Sequence, residues 1–318
     1  MIWTDDIGYE SAFRSPSSAT QESSNISHVL KSLARRALFL SKNSATKILP
    51  PRALDAYLSA LGSADYYFGR DMRDRCRPLL TDHLKHPPGS EFYEFYVSQL
   101  CRNLVRWSIP HAHPYWTKRS RRLEMVGEQH VRRCLDEGRG VIVLLSHFGP
   151  WPFISHEFER RGLRIAPTYP LGWPHEARVD MADRIQFLRE ARRVLARNGI
   201  VGLMGDVGVV GVGGLGRMVE LPFLGVTTPF PIGCTTLSVR TSTPIVPVFS
   251  LRHSDGRHDI VCTEPIDPGH YENIGIEQEV KMLECYAARL EEMVRAHPHN
   301  AYSYLEFAPR VTNSEARL

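Results

Sequence analysis

The chain has 318 residues, with 39 Lys+Arg against 35 Asp+Glu, a formal net charge of +4. Hydrophobic content of 42% and charged content of 23% describe an ordinary globular protein with one large domain or two small ones. That excludes a disordered chain, a collagen and a disulfide scaffold. The six cysteines at 76, 101, 134, 234, 262 and 285 never form CxxC, which argues against a metal cage and for a reducing compartment. The small basic excess suits an anionic partner without naming one, and it does not indicate a DNA-binding protein.

Residues 1–27 are polar and Ser-rich and read as a flexible tail. They show no basic start followed by an apolar run, so no signal peptide is expected. No stretch approaches the ~18 apolar residues that cross a bilayer. The expected location is the cytoplasm, with peripheral membrane contact allowed. Residues 28–116 read as a helical N-terminal part. One helix ends at Pro50-Pro51, and others are predicted near 51–62, 65–84 and 89–107. The last carries Phe92, Phe95, Tyr96, Leu100 and Leu104, an aromatic stripe expected in the core.

From Leu123 the pattern changes. Strands are predicted at 123–126, 141–145, 164–168, 200–204, 244–250 and 258–263, with helices at 128–137, 151–161, 176–197, 230–242 and 276–296. Alternating strands and helices give an α/β core over 117–311, a mostly parallel sheet flanked by helices, with the N-terminal helices as a cover. Val141–Leu145 is continuously apolar, as a strand covered on both faces requires.

Ser146-His147-Phe148-Gly149-Pro150-Trp151-Pro152 follows that strand directly. The carboxyl end of a strand in an open α/β sheet is where a loop exposes catalytic groups beside a crevice. His147 is therefore a candidate catalytic residue. Gly149 permits close approach of backbone to substrate. Pro150 and Pro152 suit the first turn of a helix aimed at the same crevice.

Three ordered blocks resemble the bacterial lipid A lauroyl/myristoyl acyltransferases and the phosphatidylinositol mannoside acyltransferases of the lysophospholipid acyltransferase superfamily. They are LEMVGEQHVRRCLDEGRGVIVLLSHFGPWPF (123–153), ARRVLARNGIVGLMGD (191–206) and VELPFLGVTTPFPIGCTTLSVRTSTPIVPVF (219–249). The resemblance implies acyl transfer from a thioester, on acyl carrier protein or coenzyme A, to a hydroxyl or amine. It implies no cofactor beyond that co-substrate and no metal. His147 would be the general base, a contribution of about 10²–10⁴ in rate.

The sequence departs from the family where it matters. The acid expected five residues after the histidine is Pro152, and the asparagine before Trp151 is Pro150. Three readings stay open. Another carboxylate orients His147: Glu220 first, with Asp206 and Glu157 as further choices. Or His147 acts alone on an already nucleophilic amine, hydroxylamine or hydrazine. Or catalysis is lost and the fold binds a carrier. Tyr169 stands where the family places an anion-binding Arg, and Val207 follows Asp206 where the family has Gln. Together with the lack of an N-terminal span, these changes imply an acceptor other than a lipid A precursor, with specialised-metabolite or lipid biosynthesis as the setting. An aminoacyl-tRNA-dependent transferase to an amine-type nucleophile is a further alternative.

Arg217, or a backbone N–H after Gly149, is the candidate oxyanion donor. Trp151 lies in the motif itself and is a candidate substrate contact. Arg193 sits with Arg189 and Arg197 on one helix face, a solvated face or a dock for an anionic carrier or tRNA. Lys118–Arg122 forms a second basic cluster. Gly211–Gly216 fits GxGxxG but is followed by an extended segment, so it reads as a loop over the site and not as a nucleotide fingerprint.

Overall fold

The computed structural model describes residues 45, 48–68, 70–107, 123–167, 184–206, 217–271 and 275–305. The chain divides into two units, 1–49 and 50–318, and every element below lies in the second. The expected tail, the helix ending at Pro50 (apart from 45 and 48–50), Tyr169, Lys118–Arg122 and the Gly211–Gly216 loop lie outside the described residues.

Three helices open the second unit: α1 (Pro51–Phe68), α2 (Arg70–Arg77) and α3 (Glu91–Trp107). Helix α1 crosses α3 at Gly62, where a Cβ would come within 2.5 Å of the Arg102 backbone. The helix expected over 65–84 does not run through. Pro78, which has no N–H for the α ladder, opens a wider turn over Pro78–His83. The aromatic stripe of α3 also needs correcting. The buried seam runs through Tyr93, Val97, Leu100 and Cys101, which rotates Phe92 and Phe95 outward to 63% and 42% exposure.

The α/β core contains strands β1 (Leu123–Val126), β2 (Val141–Leu145), β3 (Ile165–Pro167), β4 (Ile200–Met204), β5 (Met218–Phe223), β6 (Val226–Pro231), β7 (Ile245–Arg252) and β8 (His258–Cys262). Its helices are α4 (Glu128–Asp136), α5 (Pro152–Arg160), α6 (Arg184–Ala196), α7 (Gly233–Thr241) and α8 (Ile276–Ala296). Six strands form one sheet in the order β1-β8-β7-β2-β4-β3. All its pairs are parallel except β7–β8. The expected mostly parallel, helix-flanked sheet is what the chain builds.

Strand β2 shows why. All five of its residues are buried. Its alternate side chains serve two cores, as the twofold repeat of a strand dictates. Val141, Val143 and Leu145 pack with Val131 and Cys134 of α4 and with Ile154 and Phe158 of α5. Ile142 and Leu144 pack with Ala191 and Leu195 of α6, Leu237 of α7 and the apolar stripe of α8.

Strands β5 and β6 form a separate antiparallel hairpin that was not expected beyond an extended segment at 217–221. The predicted helix over 230–242 consequently starts later, at Gly233. The hairpin turns on Leu224 and Gly225, both at positive φ (53° and 82°), as a two-residue turn between twisted strands requires. Leu224 is held there from both sides. Its N–H donates to Glu291 Oε2 on α8 (2.7 Å), and its carbonyl accepts from His83 Nδ1 (3.0 Å). All six cysteines are free. Burial pushes the thiols of Cys234 and Cys262 up to about 12, so both stay protonated.

Candidate active site

The site is built where β2 and β4 end side by side. The parallel register pairs Leu145 with Met204. Two residues further along each chain stand His147 and Asp206, at the same edge of the sheet. Asp206 is fully buried, while the His147 side chain keeps 18% exposure.

Asp206 grips His147 twice. Its Oδ2 accepts the His147 backbone N–H at 2.6 Å, and its Oδ1 lies 2.9 Å from the ring Nδ1. A carboxylate can only accept, so Nδ1 carries the proton and Nε2 presents its lone pair. Nε2 has no partner among the described residues. A third donor, the Tyr304 hydroxyl, reaches Oδ2 at 2.5 Å. No Lys or Arg pairs with Asp206 among the described residues. The buried carboxylate is therefore held by hydrogen bonds from the His147 backbone, the imidazole and the Tyr304 hydroxyl. Burial, then the charge of Asp206, holds the Tyr304 phenol well above its ordinary value, so it stays a donor. The same causes act on Tyr286, whose hydroxyl donates to the Leu145 carbonyl at 3.0 Å.

The loop after His147 is pinned. Gly149 has φ +61°, and a Cβ there would sit 1.8 Å from the Ser250 carbonyl oxygen of β7. Its N–H donates to the Asn300 carbonyl (2.9 Å). The Trp151 ring stands edge-on to His147, with centroids 5.5 Å apart and planes at 72°. Pro152 begins α5.

The other sequence candidates separate. Glu220 lies on the exposed side of the hairpin, opposite Pro229, and makes no hydrogen bond to His147. Glu157 is buried but committed to Arg160 and Arg161 (2.6 and 2.7 Å). Burial raises its carboxyl, and the two guanidinium hydrogen bonds overcome this and hold it below the ordinary value. Arg217 is exposed just before β5; its carbonyl accepts the Ile232 N–H (3.1 Å), and its guanidinium makes no hydrogen bond or ion pair among the described residues. The expected backbone donor after Gly149 is not there: Pro150 and Pro152 have no N–H, and those of Trp151, Phe153 and Ile154 bind the carbonyls of Gly149, Pro150 and Trp151. Arg189, Arg192, Arg193 and Arg197 are exposed, and Arg193 pairs with Glu190 (2.5 Å). Tyr304 was missed. It belongs to a short turn after the last helix and carries no pattern of its own.

A histidine whose Nδ1 is held by a carboxylate and whose Nε2 is open, at the carboxyl edge of a helix-flanked sheet, can take a proton from a nucleophile. The family model for bacterial lipid A biosynthesis acyltransferases matches residues 116–306, more than half of the chain. The protein belongs to that family and is an acyltransferase. Among solved structures it is similar to the 1-acyl-sn-glycerophosphate (LPA) acyltransferase PlsC from Thermotoga maritima. That match has 17% identity over 71% of this chain and 95% of that chain, at a TM-score of 0.36. No curated protein sequence matches it.

Proposed function

We propose that the protein moves an acyl group from a thioester, carried on acyl carrier protein or coenzyme A, to a hydroxyl or amine acceptor. The observation that carries this reading is the contact between His147 Nδ1 and Asp206 Oδ1 at 2.9 Å. It supplies the orienting carboxylate that Pro152 removed from the family position. Nε2 takes the proton of the acceptor O–H or N–H as the acceptor attacks the thioester carbonyl carbon. The tetrahedral oxyanion collapses with cleavage of the C–S bond. The imidazolium returns the proton to the departing thiolate. Asp206 holds the tautomer and stabilises the imidazolium, as the orienting acid does in other histidine-based acyl transfers.

The acceptor in this reading is a biosynthetic hydroxyl or amine other than a lipid A precursor. No described helix is long and apolar enough to cross a membrane, which is compatible with work in the cytoplasm or at a membrane surface. The exposed Arg189, Arg192 and Arg197 on and just after α6 offer charge for an acidic carrier.

The test is intact-mass detection of acyl loss from a panel of acyl-carrier, acyl-coenzyme A and aminoacyl-tRNA donors, with candidate acceptors. The protein is expected to discharge a thioester donor, and His147→Ala to lose that turnover by about 10²-fold or more. Full turnover by His147→Ala would overturn the assignment of the base. Discharge of aminoacyl-tRNA alone would overturn the donor class.

A further inference from the structure

The turns that follow α8 touch Asp206 and the loop that carries His147. Over Pro298–Asn300 the chain is fastened to α3, where the Asn103 side-chain amide donates to the His299 carbonyl (2.7 Å). Asn300 fastens it to β7: its Oδ1 accepts the Arg252 N–H (2.9 Å), and its Nδ2 donates to the Arg252 carbonyl (3.2 Å). The Asn300 carbonyl then takes the Gly149 N–H, fixing the loop that carries His147. Four residues later Tyr304, fully buried and edge-on to Phe223 of the hairpin (6.3 Å, 68°), donates to Asp206 Oδ2.

We propose that Tyr304 is a positioning residue of the transferase, which fixes the Asp206 carboxylate toward His147 and tunes the basicity of the pair. This rests on the reading of His147 as the base. The reasoning is electrostatic. Oδ2 accepts from both the His147 N–H and the Tyr304 hydroxyl, so the phenol disperses charge that would otherwise fall on the carboxylate facing the imidazole. Removing the phenol concentrates that charge in a buried site where no Lys or Arg pairs with it among the described residues. The extra proton is then held more tightly, on the imidazole or on the carboxylate, and the pair as a unit becomes harder to deprotonate. Among the described residues, the titratable groups facing Asp206 are His147, Tyr304 and, through space, Tyr286. Tyr304 thus acts on the reaction without meeting the substrate.

The experiment compares the full-length protein with Tyr304→Phe and His147→Ala. Two readouts are followed: the pH dependence of kcat/KM for the thioester donor, and the titration of the His147 ring by ¹⁵N NMR of histidine-labelled protein. Tyr304→Phe is expected to raise the apparent pKa of the pair by roughly one pH unit and to lower kcat about tenfold, with KM little changed. Should the Phe variant not fold, 3,5-difluorotyrosine at 304 keeps the shape with a stronger donor, and the pair's pKa is expected to fall. An unchanged His147 titration in the folded variant would overturn the proposal while leaving the base assignment standing. Full activity in His147→Ala would instead overturn the reading beneath it.

Discussion

His147 and Asp206 are each two residues beyond a register pair of adjacent parallel strands, Leu145 of β2 and Met204 of β4, and that spacing brings their side chains to 2.9 Å. Pro152 stands five residues after the histidine, and the carboxylate that meets the His147 ring comes instead from the end of the neighbouring strand. Asp206→Asn tests the consequence. The amide can turn its NH₂ toward Nδ1 and favour the wrong tautomer. Steady-state assays should show a loss of about 10²-fold or more in kcat with KM nearly retained. Glu220→Gln, on the exposed side of the hairpin, should leave kcat within about twofold, since surface substitutions seldom act at a distance.

The loop of His147 depends on a missing side chain. At Gly149 any Cβ meets the Ser250 carbonyl, and φ is +61°. Gly149→Ala should therefore destabilise the fold by roughly 2 kcal/mol or more and lower activity, because β7 or the loop must move. Denaturant melts followed by tryptophan fluorescence would measure the first effect. A melt indistinguishable from the parent protein would contradict the packing described.

Gly205 makes a parallel case one residue before Asp206. A Cβ there would lie 2.6 Å from the Tyr286 ring. Tyr286 is buried and stacked on Phe249 at 6.5 Å, so it has little room to retreat. Gly205→Ala should cost about 1–3 kcal/mol by overpacking and displace Asp206. The double variant Gly205→Ala/Tyr286→Phe should recover little, since the ring carbons and not only the hydroxyl collide.

Much of this architecture is readable from the sequence, and the failures have physical causes. Val141–Leu145 is legible because a doubly covered strand must be apolar throughout, and Ile276–Ala296 because its apolar residues keep helical spacing over 21 residues. The β5–β6 hairpin is hidden by Pro222, Pro229 and Pro231, which disfavour interior strands but are tolerated where each strand is an edge. The choice among Glu220, Glu157 and Asp206 stays open in the sequence because it turns on β4 lying beside β2. Strand order is not written in local patterns, and the two strands are separated by α5, β3 and α6. Tyr304 is harder still: a single tyrosine in a short turn has no periodicity to declare it.

Acid should loosen the protein through identifiable groups. Burial, first of all, lowers His299 from 6.5 to about 4. Its Nε2–H donates to the Arg252 carbonyl at 3.0 Å, and its Nδ1 is buried without a hydrogen-bond partner among the described residues. Between those two values the unfolded chain binds a proton that the folded chain refuses, so stability falls as pH drops from about 6.5 to about 4. The effect is on the order of 3 kcal/mol. The Glu157 carboxyl, held low by Arg160 and Arg161, acts with the same sign at lower pH: its contribution is present above its unfolded value and is lost as pH falls through its folded one. Thermal melts from pH 7.5 to 4.5 should show a steady decline. In His299→Gln the slope between pH 6.5 and 4.5 should be shallower.

The most direct measurement of the central claim is the protonation pattern of the His147 ring, read from long-range ¹H–¹⁵N spectra of histidine-labelled protein above the pH at which the ring titrates. A base oriented by Asp206 must carry its proton on Nδ1 and leave Nε2 bare, and Asp206→Asn must alter that pattern. A ring protonated on Nε2, or one that Asp206→Asn leaves unchanged, would contradict the account.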